Sequence, residues 1–170
     1  MEKQLQEYKQ LSLTARLAIA LLVFEKYCAE NKIDNKLITE FLHYLWQWPL
    51  INGPDQFEPW EQSRTELVNF GLGDPAGKEL LIIIKESNIE EINFREIVSG
   101  IVEILWGSFW GASEDELSLQ ALGNVINRSK LTTLPPLTPF KFSQFKDMNG
   151  WGINITEEDR DFWRNSNKYA

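Results

Sequence analysis

The fold is decided by the stretch NFREIVSGIVEILWGSFWGASEDE, which runs from Asn93 to Glu116. At about 100° per residue, its apolar side chains collect on one face of a helix, with Val102, Ile104 and Trp106 flanking that face. The apolar arc covers more than half of the circumference, which is wider than a surface helix needs. The pattern therefore predicts a long helix, at about 93–110, that other elements surround on most sides. The residues of the face are Phe94, Ile97, Val98, Ile101, Leu105 and Phe109.

Small and polar residues indicate where this helix begins, ends and meets a neighbour. Asn93 is a candidate N-cap, and Gly111 is a candidate stop. Gly100 and Gly107 lie on the narrow polar side, where each costs about 1 kcal/mol of helix propensity relative to alanine. Their presence predicts that another backbone approaches the helix closely on that side.

Apolar residues at helical spacing, with capping residues before them, predict further helices along the chain. The run Leu80 to Ile84 is also compatible with a buried strand, and we favour helix because no second strand is evident to pair with it. The predicted helices run from Ser12 or Thr14 to about Asn31, from Asp34 to Pro49, from Pro59 to Gly71, from Asp74-Pro75 through Ile84, from Ser113 (with Glu116 in a capping box) to Arg128, and from Thr156 (with Asp159) through Phe162 and Trp163.

Two connections are predicted to be irregular. Leu50 to Glu58 contains Gly53 and Pro54 and is predicted to be a loop. Leu134 to Pro139 contains three prolines, which exclude regular structure. This proline-rich segment is predicted to lie extended across the helices, anchored by Phe140, Phe142 and Phe145. Together these patterns predict one compact all-α domain, residues 1–170, with six to eight helices around the helix at 93–110.

The charge balance excludes some classes of partner. The chain has 17 Lys and Arg residues against 25 Asp and Glu residues, a formal net charge of −8. Such a chain, without a basic cluster, is a poor candidate for binding nucleic acid, because neutralising phosphates supplies most of that affinity. Opposite charge instead speeds the encounter with a basic protein. The same charge is also explained by solubility alone.

The compartment is predicted from cysteine usage and hydropathy. Cys28 is the only cysteine, so that no disulfide can form within the chain. The N-terminal residues are polar and lack the apolar core of a signal peptide. The longest apolar run, near Leu17 to Phe24, is far shorter than the roughly 20 residues that span a membrane. We expect a cytoplasmic protein.

Few residues suggest catalysis or metal binding. His43 is the only histidine, and it could pair with Cys28 across adjacent helices, although a core cysteine and a histidine at a helix edge explain both residues. Glu40 and His43 have the Glu-x-x-His spacing of di-iron sites, which need a second such pair. Glu40 and Glu103 are candidate paired carboxylates. We expect no metal and no cofactor.

Acidic clusters at two predicted helix starts are candidate partner-binding residues. Negative charge in a first turn is favourable to the helix dipole, by about 0.3–1 kcal/mol for an exposed group, and this is a sufficient structural cause. The alternative is a surface that faces a basic partner, which Glu90, Glu91 and Glu96 could extend. The clusters are Glu114, Asp115 and Glu116, and Glu157, Glu158, Asp159 and Asp161.

The chain also has seven tryptophans, which is many for its length. Filling of the core explains Trp46 and Trp106. Trp48, Trp60 and Trp110 lie at predicted helix ends or beside loops, where partly exposed aromatic side chains mark interfaces or ligand pockets. These three are therefore candidate partner-binding residues, although filling of the core is the favoured explanation for each.

The C-terminal third contains Leu134-Pro135-Pro136-Leu137-Thr138-Pro139-Phe140 and, further on, Trp151-Gly152. In these segments and in its small size and acidity, the chain resembles the immunity proteins of bacterial polymorphic and contact-dependent toxins. The resemblance concerns the general character of the chain, so no functional residue is transferred. It implies a protein that binds one toxin domain, often a nuclease, and blocks its active site or substrate groove.

Three functional hypotheses follow from the sequence. The first is an immunity-type inhibitor whose carboxylates face a basic partner and whose tryptophans anchor it. The second is a helical ligand-binding or regulatory domain with a pocket beside the long helix, near Trp106 and Trp110. The third is an enzyme that uses Cys28 and His43, or paired carboxylates.

Overall fold

A computed structural model describes the backbone of residues 2–169 and the side chains of residues 5–167. Within that range the chain forms nine α-helices and no β-strand, which confirms the all-α class with more helices than the six to eight predicted. The helices are α1 Glu2–Tyr8, α2 Leu13–Glu30, α3 Lys36–Leu45, α4 Pro54–Gln62, α5 Glu66–Gly71, α6 Lys78–Glu86, α7 Glu91–Trp106, α8 Asp115–Ser129 and α9 Glu157–Arg164. Short 3₁₀ turns lie at Trp48–Leu50, Thr138–Phe140, Met148–Gly150 and Ser166–Tyr169.

Helix α2 is buried around its whole circumference from Leu13 to Phe24. It begins as the sequence predicts at one of its two candidate caps, since the Ser12 hydroxyl accepts a hydrogen bond from the Ala15 amide at 3.0 Å. The helix contacts α3, α7, α8 and α9. Helix α2 does not stand out as the central helix in the sequence, because the polar residues Thr14 and Arg16 interrupt its apolar pattern, although both of their side chains are buried.

Helix α7 begins and ends before the predicted limits. Its N-cap residue is Glu90 rather than Asn93, whose side chain instead donates to the Arg128 carbonyl oxygen at 2.8 Å. The helix ends at Trp106 with Gly107 as its C-cap, so Phe109 lies beyond it and Gly111 does not stop it. The five predicted face residues within the helix are buried.

The two glycines of α7 behave differently. A Cβ atom at Gly100 would lie 2.9 Å from the Ala121 carbonyl oxygen and 2.7 Å from Val125 Cγ2, so α8 approaches closely there. At Gly107 the nearest atoms belong to Glu103, one turn earlier in the same segment. The prediction of a close neighbouring backbone is therefore wrong at Gly107.

Several predicted helix starts are displaced. Asn35 rather than Asp34 caps α3. Helix α4 begins at Pro54 and contains Pro59, so most of the predicted loop at 50–58 is helical. Gly53, with φ of +71°, turns the chain into Pro54, whose fixed φ suits the first helical position.

Of the next three predicted helix starts, the first two are wrong and the third is confirmed. Helix α6 begins after Gly77 rather than at Asp74-Pro75, and it contains Leu80 to Ile84, which are helical as we favoured. The capping box at Ser113 is absent, because this hydroxyl donates to the Asn149 carbonyl oxygen and α8 begins at Asp115. The predicted capping box of Thr156 and Asp159 is present at α9.

The C-terminal segment is hydrogen-bonded to the residues around the start of α2. The Ser12 amide donates to the Ser143 carbonyl oxygen at 3.0 Å, and the Phe145 amide donates to Gln10 at 2.8 Å. Of the predicted aromatic anchors, Phe140 is fully buried, whereas Phe142 is exposed. None of the helices in residues 2–169 is both long and apolar enough to cross a membrane.

Candidate functional site

The side chains proposed for catalysis do not form a pair. Cys28 is buried, and its burial raises the pKa of the thiol well above the usual value. His43 is exposed on α3, where its Nε2 atom lies 3.3 Å from the Gln47 amide nitrogen. No hydrogen bond joins the two side chains, both of which the structure describes, so the arrangement needed for a Cys-His nucleophile is not formed.

The candidate carboxylates are also apart. Glu40 forms an ion pair with Lys36 one turn earlier in α3, at 3.4 Å. Glu103 is exposed on α7 and lines a groove between α7 and α8. Among the described side chains, no group of three or more histidine, cysteine or acidic residues could hold a metal ion.

Aromatic side chains from five separate segments instead meet in one place. We call them the aromatic cluster. Phe109 is at its centre, with ring centroids 5.1 Å from Trp48, 5.0 Å from Phe57 and 5.0 Å from Trp106. Offset and edge-to-face contacts at such distances contribute about 0.5–1.5 kcal/mol per pair beyond the buried area. The members are Trp48, Phe57, Trp60, Trp106, Phe109, Trp110 and Trp151.

The buried side of the aromatic cluster is held by Trp60. Its ring stacks on Tyr44 with centroids 4.7 Å apart and planes within 2°. The Tyr44 hydroxyl donates to the Trp60 carbonyl oxygen at 2.7 Å, and Trp60 Nε1 donates to the Tyr44 carbonyl oxygen at 3.1 Å. These reciprocal bonds join α3 to α4 and fix the base of the cluster. With only 5% of its surface exposed, Trp60 lies in the core, and its contact with a partner stays a prediction.

The open side of the aromatic cluster ends at Trp110. This side chain is 72% exposed, and its ring touches only Phe57 and Phe109 at 6.0 and 6.2 Å. Trp48, Phe109 and Trp151 are half-buried. The exposure of the rings in the cluster thus increases from the buried Trp60 to the exposed Trp110.

Carboxylates lie beside the aromatic cluster. Glu61 accepts a hydrogen bond from Trp106 Nε1 at 3.4 Å and forms an ion pair with Arg64. The Glu114 amide donates to the Ser108 hydroxyl at 2.9 Å, which fixes the loop that carries Trp110. Glu58 is exposed on α4, next to Phe57 in sequence. Carboxylates therefore flank the rings in the sequence, with Glu61 neutralised by Arg64 and Lys146 in the adjoining cavity.

The first predicted acidic cluster is divided between surface and core. Asp115 forms an ion pair with the fully buried Arg16 at 2.7 Å. Burial lowers the pKa of Arg16, and the hydrogen bond and charge of Asp115 oppose that shift. Asp115 therefore stabilises the fold by pairing with Arg16, and its contact with a partner stays a prediction. Glu114 and Glu116 are exposed.

The second predicted acidic cluster lies on α9, which contacts the 3₁₀ turn that contains Trp48. Asp159 caps the helix, and Arg160 forms ion pairs with Glu157 at 3.6 Å and Asp161 at 2.9 Å. Glu158 is exposed and makes no ion pair with any described side chain. The free negative charge of this helix is thus smaller than its sequence suggests.

The sequence identified Trp48 and Trp110 but not the residues that connect them. Phe109 was assigned to the buried face of a helix, and Phe57 was assigned to a loop. Both assignments followed from the misplaced ends of α7 and α4. The signal that could have revealed Phe109 is its position after Gly107, a residue that ends helices.

A cavity of about 610 Å³ opens beside the aromatic cluster. It is lined by Trp151, Phe145, Lys146 and the residues 111–113. The sequence predicted a pocket near Trp106 and Trp110, but neither side chain lines this cavity. Comparison of the chain with the models of protein families, with curated proteins and with solved structures finds no match.

Proposed function

We propose that the protein is an immunity-type inhibitor, which neutralises a basic bacterial toxin domain in the cytoplasm by forming a stoichiometric complex with it. The observation that carries the proposal is Trp110, a 72% exposed indole supported by a packed aromatic cluster. Tryptophan is enriched among the few interface residues that supply most of the binding energy.

The aromatic cluster has the properties of a pre-organised binding surface. Phe109 holds the half-buried rings of Trp48 and Trp151 at 5.1 and 5.9 Å. A partner that covers these rings therefore gains apolar burial without paying to order them. Exposed contiguous apolar surface on a monomer marks an interaction site more often than a scattered single residue does.

The charge around the aromatic cluster favours a basic partner. Glu58 follows Phe57 and Glu114 lies four residues after Trp110, and both are exposed, while the whole chain carries a formal charge of −8. Complementary charge at the rim of an interface raises the association rate and makes it fall with salt. A nuclease toxin, whose substrate groove is basic, fits this chemistry, and occupying that groove would block its substrate.

The test begins with the neighbouring genes, one of which should encode a basic toxin domain, and continues with the binding of that domain to this protein. We expect a 1:1 complex by calorimetry, and we expect Trp110→Ala to weaken it at least about 30-fold, as for an interface residue worth 2 kcal/mol or more. Ile92→Ala is the control, because Ile92 is 54% exposed at the far end of α7. Absence of a complex at micromolar concentrations, or an equal effect of both variants, would contradict the proposal.

The contribution of charge is tested separately. Glu114→Gln should lower the association rate at low salt and leave the dissociation rate nearly unchanged, because rim charges act mainly on encounter. Glu86→Gln removes the same charge from an exposed position at the end of α6. If both substitutions slow association equally, the net charge rather than this surface attracts the partner.

A further inference from the structure

A second, polar site lies where three helices end, and we call it the polar cavity. It has a volume of about 350 Å³ and opens between the C-terminal ends of α2 and α8 and the N-terminal end of α7. That volume is at the lower end of the range of about 300–1,000 Å³ typical of small-molecule sites. Its lining includes Tyr27, Glu30, Glu90, Asn93, Arg128 and Lys130.

The polar cavity contains a buried hydroxyl without a partner. Tyr27 is 3% exposed, and its hydroxyl makes no hydrogen bond. The neighbouring Asn93 amide donates instead to the Arg128 carbonyl oxygen at 2.8 Å. Burial raises the pKa of Tyr27 to about 12, Cys28 adds to that shift, the neighbouring Asn93 side chain opposes it, and Glu90 adds a smaller contribution, so the hydroxyl keeps its proton. Buried hydroxyls without partners are rare in folded proteins, and a bound ligand is one way to satisfy them.

Charges of both signs line the polar cavity without pairing. Arg128 and Lys130 are exposed at the end of α8, and Glu30 and Glu90 are exposed at the ends of α2 and α7. None of the four takes part in an ion pair with a described residue, so opposite charges face one cavity and remain apart. A ligand that carries both signs would bridge them.

The ends of α7, α2 and α8 add partial charges of both signs to the polar cavity. The N-cap residue of α7, Glu90, makes no side-chain hydrogen bond to the first amides of the helix. Those amides, at the positive end of a 16-residue helix, favour a carboxylate. The C-terminal ends of α2 and α8 carry partial negative charge and favour an ammonium group.

We propose that the polar cavity binds a small zwitterion of the α-amino acid class. The carboxylate lies between the first amides of α7 and Arg128, and the ammonium group lies against Glu30 and the end of α2. The Tyr27 hydroxyl donates its otherwise unused proton to a ligand oxygen. This site is independent of the aromatic cluster, because α7 separates the two.

The experiment is calorimetry and thermal denaturation of the full chain with each standard α-amino acid at about 10 mM, which saturates a site of 1 mM dissociation constant. We expect at least one amino acid to bind, and we expect its N-acetyl and carboxamide derivatives, each lacking one charge, to bind at least about tenfold more weakly. Absence of binding by every amino acid overturns the proposal, as does equal binding of the derivatives or of acetate alone.

Variants locate the site. Tyr27→Phe should weaken binding about fivefold through the loss of one hydrogen bond, and Arg128→Gln should weaken it about tenfold or more through the loss of a charged one. Arg164→Gln, an exposed arginine near the end of α9, is the control and should bind as the unsubstituted protein does. Binding that survives Tyr27→Phe and Arg128→Gln unchanged overturns the assignment to the polar cavity.

Discussion

At its C-terminal end α7 meets the aromatic cluster, and at its N-terminal end it meets the polar cavity. The helix has 16 residues, which at about 1.5 Å per residue separate the two sites by roughly 24 Å. At one end, rings pack against each other and leave an indole exposed. At the other, a buried hydroxyl and four charges lack partners.

The difference lies in what each site contributes to the unbound protein. The aromatic cluster stabilises the fold through its packed rings, so it can serve a partner and the core together. The Tyr27 hydroxyl lowers the stability of the fold, because burial removes its hydrogen bonds to water and no protein group replaces them. Substitutions at the two ends of α7 should therefore change stability in opposite directions.

The largest effect is expected at the base of the aromatic cluster. Trp60→Ala should lower the free energy of unfolding by about 3–5 kcal/mol, because it removes a buried ring and leaves a cavity. It also removes the stacking with Tyr44 at 4.7 Å. Urea denaturation followed by circular dichroism measures the change. Trp60→Phe retains an aromatic ring and should cost clearly less, and equal losses would show that the stack is not the source of the stability.

A smaller loss is expected beside the loop that carries Trp110. Asp115→Ala leaves the buried Arg16 guanidinium without its 2.7 Å partner. Breaking a fully buried pair costs about 3–5 kcal/mol. Since the Asp115 side chain is 32% exposed, water can partly replace it and we expect a loss of about 2 kcal/mol.

The neighbouring exposed carboxylate provides the control. Glu116→Ala in the same turn should change the free energy of unfolding by less than about 0.5 kcal/mol. Arg16→Met together with Asp115→Ala should recover part of the loss, because an apolar side chain then fills the site of the charge. A double variant as unstable as Asp115→Ala would show that Arg16 contributes through its packing and its other hydrogen bonds.

The sequence predicts local features well and distant contacts poorly. Thr156 was correctly identified as a cap and Ser12 was one of two candidates, because a cap involves residues within a few positions. The pair of Arg16 and Asp115 joins residues 99 positions apart, so neither helix pattern could reveal it. The position of Trp60 near a predicted helix start left both core and interface open, and the contact with Tyr44 that buries it joins two separate helices, so the sequence could not reveal it.

For the candidate sites too, the sequence revealed what depends on neighbouring residues and missed what depends on distant contacts. Trp110 was identified correctly as a partly exposed residue from its place beside a helix end, a local signal. The polar cavity was not predicted, since it forms only when the ends of α2, α7 and α8 come together. Tyr27 has the spacing of an ordinary core residue, and nothing in the sequence marks its hydroxyl as unpaired.

A gain in stability is expected from a substitution at the N-terminal end of α7, in the polar cavity. Tyr27→Phe removes only the hydroxyl that lacks a partner, so it should raise the free energy of unfolding by about 1 kcal/mol, the penalty for an unsatisfied buried group. Urea denaturation without added ligand is the measurement, and Tyr44→Phe is the control. The Tyr44 hydroxyl donates a 2.7 Å hydrogen bond, so its removal should destabilise the protein. A destabilised Tyr27→Phe variant would mean that this hydroxyl has a partner in solution.

The smallest effect on stability is expected at the open edge of the aromatic cluster, where Trp110→Ala should change the free energy of unfolding by less than about 0.5 kcal/mol. With 72% of its surface exposed, this indole has little apolar burial to lose. If Trp110→Ala instead costs as much as Trp60→Ala, the indole folds onto the cluster in solution and is not available to a partner. A near-zero change together with weaker toxin binding separates the two parts of the cluster, because Trp60 then stabilises the fold and Trp110 contacts the partner.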